Sequence, residues 1–356
     1  MKIVKLAVAA AVAASVLMAG AAAMGGTASA GSVPAARTAA HAAEAAATGA
    51  WGKAHLVPGL GALNTGHGAG VNQVSCGSPG NCAAVGIYTD AGHHQQVFVA
   101  NEKNGTWNNA LELPGLAALN KGGGAGASGV SCASAGNCAA TGNAGNATGH
   151  QQVWVADEVG GTWGAPQEIP GFDSLNTGLI ADAQSISCPS LGYCATGGQL
   201  STENGPVAYV ADERAGGWDL AQQVFGGTVA FNTASADVES VSCGSLGNCA
   251  ASGSYITTGN VRLAFVVNEV DGSWGNAQNV PGIAALAKGG LSDATSVSCA
   301  SAGNCAAGGF FRGAHGDGAF LADQSTAASA RTGFASTGSA RAASGHTGSA
   351  RTGSAR

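Results

Sequence analysis

The chain has 356 residues, enough for one large domain or two ordinary ones, and carries a net charge of −6 with only 5% aromatic residues. The charge is uneven: residues 31–324 hold all 20 acids against 8 bases, and the tail from Ser325 holds four arginines and no acid. An acidic body excludes nucleic acid as a partner, because that partner needs a basic surface.

At the N-terminus Lys2 and Lys5 precede an apolar run from Leu6 to Met24, and Ala28-Ser29-Ala30 supplies small residues for cleavage. This pattern predicts a secretory signal peptide over residues 1–30, with a membrane anchor as the rival reading. No later segment could span a bilayer, so no membrane span is expected after cleavage. Residues 31–50 are Ala-rich and read as a linker. Export implies an oxidising compartment, in which the ten cysteines should be paired.

From residue 51 the chain repeats. The cysteines fall at Cys76/Cys82, Cys132/Cys138, Cys188/Cys194, Cys243/Cys249 and Cys299/Cys305, always C-x5-C, with pairs starting 55 or 56 residues apart. Trp51, Trp107, Trp163, Trp218 and Trp274 keep the same beat. A proline follows seven residues later at Pro58, Pro114, Pro170 and Pro281, with Phe225 standing there once. A period near 50 means supersecondary units stacked in a ring or solenoid.

One unit reads as four short strands. Strand a is "SGVSC", strand b "CAATG", strand c "QQVWVADE" and strand d "TWGAPQEI". Asn104-Gly105, Gly160-Gly161, Gly216-Gly217 and Asp271-Gly272 precede strand d and suit hairpin turns with positive φ. Helical periodicity is absent. Four antiparallel strands per unit describe a propeller blade, and β-solenoid repeats are usually shorter. The first segment, "WGKAHLVP", is a strand d without a unit, and the last unit lacks its strand d. The expectation is therefore an all-β, five-bladed β-propeller over residues 51–324, closed by pairing the N-terminal strand with the last blade. The tail over residues 325–356 is low-complexity Gly/Ser/Ala/Arg and is expected to be disordered.

The C-x5-C spacing fits neither zinc, which wants two to four residues between ligands, nor a C-x-x-C redox site. It fits a cystine across each a–b hairpin, within the pairs Cys76–Cys82, Cys132–Cys138, Cys188–Cys194, Cys243–Cys249 and Cys299–Cys305. Phe98, Trp154, Tyr209, Phe265 and Phe320 share one register of strand c and read as packing between blades. Glu102, Glu158, Glu213 and Glu269 share the register at the c–d turn, which suggests a structural or surface role. Asp182, Asp237 and Asp293 each lie six residues before a cysteine, entering strand a, where a capped turn or a weak cation site are the alternatives. No metal or other cofactor is assigned, and no catalytic residue.

Strand alternation places the tight a–b and c–d turns on one face and the variable b–c and d–a loops on the other. Function is expected on the variable face. Its candidate ligand-binding residues are Tyr88, Asp90, His94, Asn146, His150, Asn204, Tyr255, Arg262, Arg312 and His315. Such side chains suit neutral polar ligands such as glycans.

The phrase "VSCASAGNCAATG…VWVADEVGGTW…IPG" resembles repeats of secreted actinobacterial proteins over about residues 51–324, which implies a secreted β-propeller. "EVGGTW" and "EKNGTW" also look like a degenerate Asp-box turn of sialidase-type propellers. That family has one more residue before the Thr-Trp pair and an Asp before the Gly, and only Asp271 supplies such an acid here. No arginine triad can be placed, so no catalytic residue carries over. The expected function is a monomeric secreted binding module, its partner an extracellular polysaccharide or another envelope protein. A glycan-active hydrolase using acids such as Asp90, Asp173 or Asp317, and an envelope scaffold, are the alternatives.

Overall fold

A computed structural model describes residues 50–224, 226 and 233–324. The signal-peptide reading, most of the linker and the tail lie outside the described residues. Residues 50–57 carry no strand.

Five repeats follow, each a meander of three long antiparallel strands. Strand a spans Ala69–Ser78, Ala125–Ser134, Ala181–Ser190, Thr233–Ser245 and Leu291–Ser301 in repeats 1 to 5. Strand b spans Asn81–Thr89, Asn137–Gly145, Tyr193–Thr202, Asn248–Thr257 and Asn304–Gly313. Strand c spans Gln95–Lys103, Gln151–Val159, Gly205–Arg214, Arg262–Val270 and Gly316–Asp323. The fold is all-β; one parallel pair, Arg262 with Leu291, joins repeats 4 and 5.

Strand d is not one strand. In repeat 2 it is split into Thr162–Trp163 and Gln167–Glu168, and repeats 1, 3 and 4 split at the same place. A small buried residue turns inward at the break: Ala110, Pro166, Ala221 or Ala277. The Ala110 and Ala221 N–H groups leave the ladder and donate to the carbonyls of Pro58 and Pro170, each one repeat earlier. The break therefore sews repeats together. Single helical turns, absent from the sequence reading, follow three of the Pro-Gly pairs at Leu60–Leu63, Phe172–Leu175 and Ile283–Leu286, with a 3-10 turn at Leu116–Ala118. One turn is too short to leave a period of 3.6.

All five cystines form within their own a–b hairpins, as expected. The two tight turns of each sheet share one end and are bonded to each other, Gly161 N–H to the Gly136 carbonyl at 2.8 Å and Gly272 N–H to Gly247 at 2.8 Å. One turn needs correction. In repeat 3 the positive-φ pair is Ala215-Gly216, not Gly216-Gly217; Gly217 already opens the strand that carries Trp218. The other three turns have positive φ where expected.

The strand c aromatics fill the core: Phe98, Trp154, Tyr209 and Phe265 are fully buried, and Phe172 meets Tyr209 edge-on at 5.2 Å. Each ring faces a glycine on strand b, as Trp154 faces Gly142. A Cβ on Gly142 would stand 2.0 Å from the Gly126 carbonyl and 2.6 Å from the Trp154 ring.

Successive repeats are tied by a second ladder. The backbone N–H of Cys132, Cys188, Cys243 and Cys299 donates to Ser75, Ser131, Ser187 and Ser242 of the repeat before, at 2.9–3.0 Å. Strand a of repeat 1 is exposed along most of its length, whereas that of repeat 2 is buried or half-buried at all but its last residue. Among the described residues, strand c of repeat 5 pairs with strand b alone.

Candidate functional site

On the variable-loop end, the loops mostly bond to themselves. Asp90 accepts the N–H groups of Gly92 and His94 at 2.8 and 2.9 Å and the Gln96 amide at 3.2 Å; His94 Nδ1 lies 3.5 Å from it. The Asp90 carboxyl is held below its ordinary range, chiefly by that His94 N–H. Asn146 accepts from Thr148 and from the His150 N–H. The Asn204 N–H donates to Thr202 Oγ1. Arg312 pairs with exposed Asp317 at 3.1 Å, and His315 is exposed. Tyr88 and Tyr255 are buried, their hydroxyls donating to Glu112 at 3.0 Å and to Asn279 at 2.8 Å. These nine candidates do not converge.

The tenth, Arg262, does join a cluster, and it brings in the three aspartates of strand a. Its Nη1 lies 2.8 Å from Asp293 Oδ2, and Asp293 is 2% exposed with its other oxygen buried and unpartnered among the described residues. In repeat 3, Asp182 accepts from the Asn143 amide of repeat 2 at 2.7 Å. Between them, Asp237 of repeat 4 has a buried Oδ1 without a partner among the described residues. Burial first, then the charges of Asp293 and Asp182, push the Asp237 carboxyl up to about 7. Burial also raises Asp182. The buried Tyr209 hydroxyl lies beneath, raised well above its ordinary value by burial and by the charges of Asp182 and Asp237.

The sequence reading missed Glu239. Strand a carries a β-bulge in every repeat, and in repeat 4 the register slips between Val238 and Ser240, leaving Glu239 as the extra residue. A bulge re-aims a side chain that strict alternation would send elsewhere. Glu239 reaches Asp293, and burial, the Asp293 charge and their hydrogen bond raise its carboxyl to about 7. An acid two residues from Asp237 on a bulge-prone strand was the available signal.

The arrangement spans repeats 2 to 5: Asn143, Asp182, Asp237, Glu239, Asp293 and Arg262. Asp237 and Glu239, raised to about 7, can donate as well as accept, and an amide and a guanidinium stand beside them. Asp182, Asp237 and Asp293 were weak cation candidates. Among the described residues no three acidic, histidine or cysteine side chains are grouped so that they could hold a metal.

The tight-turn end holds a second set of acids. Glu158, Glu213 and Glu269, expected as structural or surface residues, are buried between repeats, at 1%, 3% and 4% exposure. A cavity of about 250 Å³ lies between repeats 3 and 4, lined by Asp212, Glu213, Arg214, Glu269 and Gly272 among others.

No protein-family model matches the chain, and no curated protein matches it. Among solved structures, it is similar to a protein of unknown function from Dyadobacter fermentans, at 12% identity and a TM-score of 0.39, over 71% of this chain and 94% of that one. It is similar to the Hadza microbial sialidase Hz136 at 11% identity and a TM-score of 0.34, over 58% of this chain and 46% of that one. The Podospora anserina α-L-arabinofuranosidase PaAbf62A, solved with cellotriose, gives 11% identity and a TM-score of 0.32, over 74% and 93%. Scores this low carry no functional inference.

Proposed function

We propose that the chain is a secreted, disulfide-stapled β-propeller that binds neutral polar ligands, glycans foremost, at the strand a cluster. The observation that carries this is the convergence of Asn143, Asp182, Asp237, Glu239, Asp293 and Arg262 from four repeats on the loop end. Sugar hydroxyls both donate and accept, and the cluster offers both roles. Five cystines fit an oxidising compartment, and among the described residues no helix is long and apolar enough to cross a membrane. The signal peptide over 1–30 supplies the export route. Binding on an array of plant, fungal and bacterial polysaccharides should rise above background and fall at least about tenfold, the equivalent of 1.4 kcal/mol, in Asp293→Asn or Glu239→Gln. An array at background for the wild type sinks this reading.

A hydrolase is the second reading, favoured by one observation. Glu239 and Asp237 are raised to about 7 beside Asp293, which pairs with Arg262, and several carboxyls at one site suit an acid and its partner. Product release from a polysaccharide, lost in Glu239→Gln, would select it.

The ring closes, in this proposal, as five blades. The ladder leaves Ser298 at one end and the Cys76 N–H at the other, the two groups that the next rung would join. Residues 51–56 then serve as the outer strand of repeat 5. Deleting 51–56 spares Val57 and Pro58, which hold repeat 1, and should lower Tm by roughly 2–4 °C for each kcal/mol lost. An unchanged melting curve would count against closure.

A further inference from the structure

The three interfaces between repeats 1 to 4 are built on one plan at the tight-turn end. Each sets a buried glutamate of the later repeat, Glu158, Glu213 or Glu269, against an Asn or Asp of the earlier one, Asn101, Asp157 or Asp212. Three residues after each glutamate comes a turn glycine, Gly161, Gly216 or Gly272.

Two of the interfaces place a nitrogen donor at the same spot. Between repeats 1 and 2, Asn101 Nδ2 donates to Glu158 Oε1 at 2.5 Å and to the Gly161 carbonyl at 3.4 Å. Between repeats 3 and 4, Arg214 Nη2 donates to Glu269 Oε1 at 3.4 Å, to Asp212 Oδ2 at 3.3 Å and to the Gly272 carbonyl. The tryptophan of the later repeat completes each set: Trp163 Nε1 donates to Asn101 Oδ1 at 2.9 Å, and Trp274 Nε1 to Asp212 Oδ2 at 2.9 Å.

The interface between repeats 2 and 3 has the acceptors and lacks the donor. Asp157 replaces the amide, and Val159, which stands where Arg214 stands in the next interface, supplies none. Glu213 is 3% exposed, and its Oε2 is buried without a partner among the described residues. Trp218 Nε1 is likewise unpartnered among them. What remains, beside the Trp218 indole N–H, is two carboxylates and a carbonyl, with a formal charge of −2 when both acids are ionised. Burying such a pair uncompensated is costly. Hard oxygen donors with that charge match a divalent cation, which takes carboxylates, carbonyls and waters in flexible geometry.

We propose that the interface between repeats 2 and 3 binds one Ca²⁺ through the carboxylates of Asp157 and Glu213 and the carbonyl of Gly216, in the position that Asn101 Nδ2 and Arg214 Nη2 fill in the sister interfaces. The ion is a structural tie between neighbouring sheets, remote from the ligand cluster at the loop end.

The test is calorimetric melting of the oxidised full chain in metal-free buffer and across a CaCl2 titration, with MgCl2 in parallel. Wild-type Tm should rise with Ca²⁺ as RT ln(1 + [Ca²⁺]/Kd), by roughly 2–4 °C once Ca²⁺ exceeds its Kd several-fold. Asp157→Asn copies the amide of the first interface, and Val159→Arg copies the guanidinium of the third. Both variants should melt at or above the calcium-free wild type and lose the Ca²⁺ response. No Ca²⁺ response in the wild type overturns the proposal. So does a full response in Val159→Arg, because the ion would then sit elsewhere, the Asp237 cluster included. If Asp157→Asn fails to fold, Val159→Arg decides alone, since it keeps both carboxylates.

Discussion

Gly142→Ala is expected to lower stability by about 3 kcal/mol, the upper range for overpacking a close-packed core. The new Cβ would stand 2.0 Å from the Gly126 carbonyl and 2.6 Å from the Trp154 ring. Neither neighbour can retreat. The carbonyl belongs to strand a, paired to this strand on one side, and the Trp154 ring is fully buried with its Nε1 donating to the Asn143 carbonyl at 3.0 Å. The same crowding recurs at Gly86, Gly198, Gly253 and Gly309, where the strand a carbonyl stands 1.8–2.1 Å from the added carbon. Gly124→Ala is the control: nothing lies within 4 Å of its added Cβ. Chemical denaturation that finds both variants equally stable would remove the glycine–aromatic pair as a determinant of the fold.

The second large effect is on pH. In metal-free buffer the protein should be more stable near pH 5 than near pH 8, the reverse of the usual acid sensitivity. Asp237, Glu168, Glu239, Glu213 and Glu269 are each raised to about 7, burial being the largest cause in every case. A carboxyl raised in the folded state binds its proton there while the unfolded chain has already released it. Its contribution is fully present below the unfolded value, near 4, and is lost as pH rises through about 7. The loss from pH 4 to 8 is on the order of 5 kcal/mol in aggregate, discounted for coupling among these groups and for partial exposure. Ca²⁺ should remove the share that belongs to Glu213. A Tm that rises steadily from pH 5 to pH 8 without metal would contradict this.

Much of the architecture was legible in the sequence because it is periodic. The 55–56-residue beat gave the repeat, the C-x5-C spacing gave the hairpin and its cystine, and the strand c register gave the buried aromatics. What escaped was what breaks the period or depends on packing across repeats. Ala215 takes φ of 52° at the place, three residues before the tryptophan, that Asn104, Gly160 and Asp271 hold in the other repeats, and the Gly-Gly pair beside it drew the turn one place too far. Glu239 joins the cluster only through a bulge. The loop residues Asp90 and Asn146 carry the right chemistry, but their oxygens are used by their own turns, which composition does not reveal. Glu158 and Glu213 look alike in sequence; the difference lies across the interface, in Asn101 against Asp157.

The serine-to-cysteine ladder has a direction. Each repeat offers a hydroxyl forward and an amide backward, so the contact is heterologous, and a run of such contacts ends with one unspent group of each kind. An arc carrying Ser298 at one end and Cys76 at the other can satisfy both by bending round on itself or by taking the next molecule in line. In the ring proposed above, intramolecular partners held at millimolar effective concentration would win in dilute solution. At high protein concentration, or when the chain is cut so that the arc cannot bend shut, the same rung becomes a polymerisation site, and head-to-tail filaments are the form that the unclosed protein would take.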